Sequence, residues 1–485
     1  MLIDKKNFIT LSPIITLIVL LCCNMIFFED SIKGPNQIAL IISALLGSII
    51  ARAQKKVNLK DLTIGIYDSI KSSLNAIVIL LIIGGLTSSW ILSGIVPAMI
   101  YYGIELINPQ FFLLTSCIIC AVVSLATGSS WTTAATVGVA LIGIGNLLSI
   151  NTGLVAGAII SGAYFGDKMS PLSETTNLAP SVSGSDLISH IRYMTYTTIP
   201  SILITLLLFF FIGLKNESTL VPLHEIDIFL SAIHDNFFIG LELFLIPALI
   251  IVLVYKKVSA IKTLLIGLIA GAIFAYLFQI DLINQILINS NNDWKITNIS
   301  IIETIIKNTF FGTEIDLQNT EINKLLDKGG VFGMLWIVLL VLSAMVFGGV
   351  MYAGGFLKEI TNQLISRSSS NIKLIGSTAG SCMFFNITTC DQYLAIVVPG
   401  RMFKEIYKDH KLDPCNLSRT IEDSGTVTSV LIPWNTCAIY HTATLGVNPL
   451  LYLPFCFFNI ISPFMTLFFS YMDIKVKKLN YDKEK

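Results

Sequence analysis

Gly162-Ala163-Tyr164-Phe165-Gly166-Asp167-Lys168-Met169-Ser170-Pro171-Leu172-Ser173-Glu174-Thr175-Thr176-Asn177-Leu178-Ala179-Pro180 ends a long uncharged stretch: residues 106–166, 61 positions, hold no Asp, Glu, Lys or Arg. A charge at the centre of a bilayer costs about 2.5–3.5 kcal/mol on insertion scales, so a run of this kind belongs in hydrocarbon. Asp167 stands where a membrane-spanning chain keeps apolar side chains, and ionisable groups at such depth mark paths for ions or protons. The hydroxyls of Ser170, Ser173, Thr175 and Thr176 surround it in sequence.

Outward from this stretch the composition agrees. Of 485 residues 54% are hydrophobic and 13% charged, with a mean hydropathy of +0.77, against roughly 25% charge in a soluble domain. The chain is an all-α polytopic membrane protein with the lipid bilayer as its surroundings. Uncharged segments 7–28, 34–51, 72–104, 106–166, 193–214, 263–280, 329–357 and 424–472 each reach the roughly 18 residues needed to cross as helix. With 236–255, which carries Glu242, and with the double-length runs, about 11 to 13 crossings or part-crossings are expected. Net charge is zero, so no nucleic-acid partner is implied. The first apolar run has no small-x-small cleavage pattern and is expected to be retained as a span. The nine cysteines lie mostly in apolar segments, and Cys117-Ile118-Ile119-Cys120 lacks the second pair of a zinc site, so buried packing is their expected role.

Lysine and arginine placement sets the orientation. Arg52, Lys55, Lys56 and Lys60 form one basic loop, Lys256, Lys257 and Lys262 another, and Lys475, Lys477, Lys478, Lys483 and Lys485 crowd the tail. Both termini are therefore expected in the cytoplasm of a multi-pass cell (inner) membrane protein. Loops 358–373 and 401–419 are both basic as well, with 27 residues between them. One crossing would put one of these loops outside. A re-entrant hairpin with its polar tip at Asn386-Ile387-Thr388-Thr389-Cys390-Asp391 avoids that, and irregular backbone at depth is tolerated where protein or a water-filled cavity surrounds it. A single crossing with one misplaced basic loop is the plain alternative.

A similar tip, Thr127-Gly128-Ser129-Ser130-Trp131-Thr132-Thr133, occurs earlier. An offset of 256 carries Thr132 and Thr133 onto Thr388 and Thr389, Asp167 onto Asp423, and Ser170 onto Thr426. The expected architecture is an inverted repeat with two opposed re-entrant hairpins or broken helices whose tips meet near the midplane. Its expected parts are N-terminal helices (1–60), a first transport repeat (61–235), connecting helices with an external loop (236–330), a second transport repeat (331–472) and a basic cytoplasmic tail (473–485).

A small cation leaving water needs about six oxygen ligands, which hydroxyls, amides, carboxylates and carbonyls freed at helix breaks supply. Pro171, Pro180 and Pro433 are the expected breakers. The candidate cation and proton ligands are Asp167, Ser170, Thr175, Thr176 and Asn177 at the first break, Asn386, Thr388, Thr389 and Asp391 at the second tip, and Asp423, Ser424, Thr426, Asn435 and Thr436 beyond it. At Asp167 proton and cation compete for one carboxylate, and a site that changes sides only when occupied converts that competition into exchange. The plain alternative for Asp167 and Asp423 is a helix-end charge at the interface, and Lys168 points either into the site or out to the surface.

These residues carry a family resemblance. The stretch 162–180 is similar to the G-D-K-M-S-P-L-S-D-T-T-N-L-A signature of the NhaC family of bacterial sodium/proton antiporters, and Glu422-Asp423-Ser424-Gly425-Thr426-Val427-Thr428-Ser429 through Ile432-Pro433-Trp434-Asn435-Thr436-Cys437 resembles the same family. The resemblance covers most of the chain. It implies secondary active exchange of intracellular Na+ for external H+ by alternating access, with no enzymatic step and no cofactor, and in some members exchange of malate and lactate. It places Asp167, Ser170, Thr175, Thr176 and Asn177 in the first motif and Asp423, Ser424, Thr426, Asn435 and Thr436 in the second. Glu174 departs from the family's Asp, and the extra methylene would shift a ligand by about 1 Å. Val430 stands before Leu431 where relatives often have Pro.

The alternative of a Na+- and H+-coupled carboxylate exchanger needs donors for a substrate carboxylate, for which Asn386, Asn435 and Thr389 are the neutral candidates. An intramembrane aspartyl protease would also place two carboxylates in separate spans, but no Gly-Leu-Gly-Asp run and no Pro-Ala-Leu near Asp423 are present. A homo-oligomer is compatible with the sequence.

Overall fold

A computed structural model describes residues 5–28, 33–54, 57–106, 108–215, 223–256, 258–289, 297–312, 330–356 and 370–479. Among them the backbone is helical throughout, apart from turns and an isolated antiparallel bridge between Leu412 and Lys478. That is what hydrocarbon requires, since a helix satisfies its backbone groups within one segment. Several charges used above for orientation, Lys55, Lys56, Lys257, Lys483 and Lys485, and Lys358 and Arg367 of the loop 358–373, lie outside the described residues.

The N-terminal part runs α1 (Lys5–Phe27), α2 (Pro35–Ala53), α3 (Leu59–Leu92) and α4 (Ile95–Leu106). The first discontinuous region follows with α5 (Phe112–Thr127), α6 (Ser130–Thr133), which passes through a π turn (Ala134–Gly138) into α7 (Val139–Leu147), then α8 (Thr152–Met169), α9 (Glu174–Ser183) and α10 (Leu187–Lys215). The connecting part holds α11 (Leu223–Asn236), α12 (Leu245–Tyr255), α13 (Ala260–Phe278), α14 (Ile280–Asn289) and α15 (Asn298–Phe311). After α16 (Gly330–Gly333) and α17 (Leu335–Ala353) comes the second discontinuous region: α18 (Asn371–Thr389), α19 (Gln392–Asp409), α20 (Pro414–Ile421), α21 (Thr436–Leu445), α22 (Pro449–Tyr452) and α23 (Phe457–Tyr471).

Seven of these helices are long and apolar enough to cross a membrane, and two bent pairs bring the total to nine. The shorter apolar helices Ile9–Asn24 and Ile95–Ile104 add to these. The chain is a multi-pass membrane protein. Its outer faces are apolar, with Leu203, Leu207 and Phe211 of α10 and Ile269, Ile273 and Leu277 of α13 exposed. Its inner contacts use small residues, as helices packed in lipid do. A Cβ on Gly162 would lie 2.1 Å from the Cys117 carbonyl oxygen and one on Gly166 2.4 Å from that of Ala121, so α8 and α5 touch backbone to backbone. Gly65 of α3 and Gly349 of α17 meet in the same way. Seven of the nine cysteines are buried and all are free thiols. Glu242 lies exposed next to the 90° bend between Asn236 and Leu241.

The two discontinuous regions share one set of backbone landmarks, spaced 262 residues apart. Left-handed residues fall at Gly128 and Cys390 (φ 68° and 59°), Ser149 and Lys411 (52° and 56°), and Gly184 and Gly446 (86° and 72°). Side-chain helix caps fall at Asn108 and Ser370, Ser129 and Asp391, Asn151 and Asp413, and Ser173 and Asn435. Pro171 and Pro433 occupy equivalent places in the second break of each region. This spacing differs from the offset of 256. Thr132 and Thr133 follow the left-handed turn in α6, whereas Thr388 and Thr389 precede it in α18, so the threonine pairs are not equivalent. The landmarks at this spacing are mostly caps, which Ser, Asn and Asp fill interchangeably, and they leave few identities in the sequence. Pro180 also differs from expectation. It lies inside α9, where it removes one backbone donor without ending the helix.

Candidate functional site

α8 brings Asp167 to its last turn, just before the break at residues 170–173. The α5 chain ends at Gly128, whose left-handed conformation turns it sharply so that Ser129 caps the next helix. The first residue of α6 therefore aims its N–H at Asp167. Oδ2 of Asp167 accepts hydrogen bonds from the Ser130 N–H (3.1 Å) and the Ser130 hydroxyl (2.7 Å), and a helix N-terminus favours negative charge there. Ser173 is the next hydroxyl beside the carboxylate. Asp167 is 8% exposed, so its carboxylate is largely removed from water.

Around it, the hydroxyl of Thr176 donates to the carbonyls of Asp167 (3.2 Å) and Lys168 (3.0 Å), tying α9 to the end of α8. Ser170 is buried and accepts from the Leu172 N–H, and Thr175 shares a hydrogen bond with Ser173 (3.1 Å). Asn177 is exposed, and its amide donates to the Pro171 and Ser173 carbonyls. It holds the loop together on the outer side of α9. Glu174 is exposed too and accepts from the Tyr393 hydroxyl, so the extra methylene reaches α19 rather than Asp167.

Lys168 turns inward. Its ammonium is fully buried, forms an ion pair with Asp423 and donates to the Ser462 hydroxyl (3.1 Å). Asp423 also accepts from the hydroxyls of Ser462 (2.9 Å), Thr197 (3.0 Å) and Thr466. Four donors from three elements occupy this carboxylate.

At the second tip the side chains serve the frame. Asn386 donates to the Gly425 carbonyl (2.7 Å) and the Thr428 hydroxyl (3.1 Å), and Asn435 donates to the Asn386 carbonyl (3.2 Å). The hydroxyls of Thr388 and Thr389 donate to the Phe384 and Phe385 carbonyls within their own helix. Asp391 caps α19 by accepting from the Leu394 N–H (2.8 Å), and the Thr436 N–H donates to the Cys390 carbonyl (3.0 Å). Each tip thus leans on the second break of its own region, as Gly128 does on Leu172 and Ser173. The regions also cross over. Trp131 stacks on Tyr440 at 3.9 Å and accepts its hydroxyl on the backbone (2.8 Å), while Tyr393, 262 residues after Trp131, reaches α9 through Glu174.

The remaining expected residues, Ser424 and Thr426, lie in a π turn (Glu422–Thr426) after α20, fully buried, with hydroxyls that have no hydrogen-bond partner among the described residues. Glu422 is buried beside them, and both its carboxylate oxygens lack a partner among the described residues. It is not among the ligands expected from the sequence, where it appears only as the neighbour of Asp423. The usable signal was helical spacing, which sets Glu422 and Thr426 on one face.

A family model described as the Na+/H+ antiporter family matches residues 162–474, which include the second break of each region and both motifs. The chain belongs to that family. Its relatives include a Na(+)/H(+) antiporter NhaC of Alkalihalophilus pseudofirmus, 37% identical over 447 residues, 92% of each chain. A malate-2H(+)/Na(+)-lactate antiporter of Bacillus subtilis is 34% identical over 95% of this chain and 94% of its own. An arginine/ornithine antiporter ArcD of Halobacterium salinarum is 34% identical over 91% and 87%. The antiporter-family match begins at Gly162 and so takes in the whole Asp167 environment except Ser130 and the α5 to α6 turn.

Proposed function

We propose that this chain exchanges Na+ from the cytoplasm for external H+ by alternating access in a cell membrane, with both termini cytoplasmic and the two discontinuous regions related as an inverted repeat. The observation that carries this reading is the Asp167 carboxylate, held between two helix breaks beside the Ser130 and Ser173 hydroxyls. A proton and a cation compete there for the same oxygens, because burial disfavours the bare anion and either partner relieves it. The Lys168–Asp423 pair keeps its own charges balanced and leaves Asp167 free to change state. The shared landmarks at a spacing of 262, together with the reciprocal contacts of Trp131 and Tyr393, support a two-fold relation of the kind inverted repeats have.

A second reading, exchange of a small carboxylate coupled to Na+ and H+, has one observation in its favour. Arg419 is fully buried over the Tyr193 ring at 4.5 Å, and its three guanidinium nitrogens lack hydrogen-bond partners among the described residues, the donor set a carboxylate takes. Against it, Asn386, Asn435 and Thr389 are engaged with protein.

The test is proton movement in vesicles containing the purified protein under an imposed pH gradient. Sodium chloride alone is expected to collapse the gradient, and Asp167→Asn to abolish the effect while the protein remains monodisperse. Collapse only with sodium malate or lactate would move the second reading into first place, and full sodium-driven flux in Asp167→Asn would remove Asp167 from the mechanism.

A further inference from the structure

Among the lysines and arginines of the described residues, Lys168 and Arg419 are the two that are buried. Lys168 is neutralised by Asp423. Arg419, in the last turn of α20, enters none of the ion pairs among the described residues, and its Nε, Nη1 and Nη2 find no acceptor there. A guanidinium holds five N–H donors and does not deprotonate in proteins, so this charge cannot be removed by loss of a proton. A buried charge without a counter-ion is strongly destabilising.

The neighbours of Arg419 do not supply one. The Tyr193 ring, 4.5 Å below the guanidinium, attracts the cation but leaves the nitrogens without acceptors. Asp423 is taken by Lys168 and by the hydroxyls of Ser462, Thr197 and Thr466. Asp413 caps α20 through the Cys415 N–H (2.9 Å) and pairs with Lys477. Oδ1 of Asn416 accepts from the Tyr193 hydroxyl (2.6 Å) and the Lys477 N–H (3.3 Å). The Glu422 oxygens are without partners themselves, so they do not bond to Arg419.

The place of this charge in the fold is fixed by two parallel contacts between α10 and the α20 strand of chain. Thr197 donates to Asp423 (3.0 Å), and four residues earlier on both sides Tyr193 lies under Arg419. Arg419 therefore stands about one helical turn, ~5.4 Å, from the Lys168–Asp423 pair, on the side of the C-terminal tail. The tail closes over it. The Tyr193 hydroxyl donates to the Lys475 carbonyl, and the Asn416 amide donates to the Lys477 carbonyl (2.6 Å). Lys475, over the Tyr196 ring at 5.0 Å, and Lys477 make this rim basic, and a basic rim draws anions.

We propose that Arg419 holds a small inorganic anion of chloride size as a resident counter-ion beneath the tail. Water would meet the N–H groups and leave the charge unbalanced. A carboxylate cargo would have to depart to both sides of the membrane, and Asn386, Asn435 and Thr389, the other donors expected for one, are engaged with protein. With the anion in place each buried cation has its own partner, and Asp423 stays with Lys168. The assignment goes beyond both transport readings above and holds whichever of them is right.

The experiment follows thermal unfolding of the purified full-length protein at fixed sodium while the bulky sulfonate MES is exchanged for chloride, with radiolabelled chloride counted per chain. A saturable rise in the midpoint is expected, with a single chloride bound per chain. Arg419→Gln is expected to show neither. Arg419→Lys keeps the charge without the planar fork and should bind chloride at least about tenfold more weakly; should the Gln variant fail to fold, this comparison decides. No rise and no bound chloride in the wild type, or the same response in Arg419→Gln, overturns the proposal. Wild-type affinity in Arg419→Lys overturns it as well, and so does a response to sodium lactate with none to chloride, which would make the site a carboxylate's.

Discussion

At the scale of single residues, the Asp-Lys pair of the first motif divides its work between two sites. Asp167 and Lys168 are neighbours in sequence, yet on a helix they point about 100° apart, so Asp167 faces the α6 N-terminus while Lys168 reaches across to Asp423. Removing one partner of a buried pair leaves an uncompensated charge, at a cost of about 3–5 kcal/mol. Asp423→Asn is therefore expected to lower stability by that order in denaturation of the detergent-solubilised protein. Lys168→Met combined with Asp423→Asn should recover most of the loss, because the Asn carbonyl still accepts from the hydroxyls of Thr197, Ser462 and Thr466. A double variant no more stable than Asp423→Asn alone would show that hydroxyl capture, and not charge balance, holds this corner together.

At the scale of elements, the breaks are built from backbone geometry. Gly128 has φ 68°, and a Cβ there would come within 2.7 Å of the Leu172 carbonyl carbon and 2.8 Å of the Ser173 nitrogen. Both neighbours are main chain of the second break and cannot rotate away. Gly128→Ala carries the left-handed cost of roughly 1 kcal/mol and also pushes the 170–173 loop away from Asp167. Sodium-driven flux is expected to fall far more than the folded yield, read as transport per monodisperse protein in vesicles; an unchanged rate would show that the two breaks move independently. The position of both tips was legible in the sequence, because a polar cluster with Gly or Asp inside an uncharged run breaks the helix that hydrocarbon otherwise imposes. The frame role of Asn386, Asn435, Thr388 and Asp391 was not legible. Polar side chains that cap helices and those that bind ions are the same residue types, and the partners of Asn386 and Asn435 lie tens of residues away. Glu422 was hidden for a related reason, since sequence shows two adjacent carboxylates but not which of them a distant lysine neutralises.

At the scale of the whole molecule, the tail joins the two halves on one side. After α23 the chain runs antiparallel to residues 411–413, with the Asp413 N–H donating to the Lys477 carbonyl (3.0 Å) and the Leu479 N–H to the Lys411 carbonyl (2.9 Å). Tyr193 of α10 donates to the Asn416 side chain (2.6 Å) and the Lys475 carbonyl, so the first region is held to the end of the second. The Lys477 ammonium sits 2.8 Å from Asp413, and that hydrogen bond is the main reason its pKa is raised above the ordinary lysine value. A cation whose folded pKa is raised contributes stability that is fully present below the unfolded value, about 10.4, and is lost as pH climbs through the folded one. Lys477 is half exposed, so the contribution is screened to about 1 kcal/mol or less. The tail should therefore stay docked through neutral and mildly alkaline pH and loosen only above about pH 10.4. Hydrogen exchange of residues 474–479, converted to opening free energies, is expected to show Lys477→Gln below the wild type by at most about 1 kcal/mol at about pH 8, with the gap closing as pH rises past the lysine range. A gap that persists unchanged there would mean that Lys477 holds the tail through its aliphatic stem and backbone, and that charge has no part in coupling the two halves.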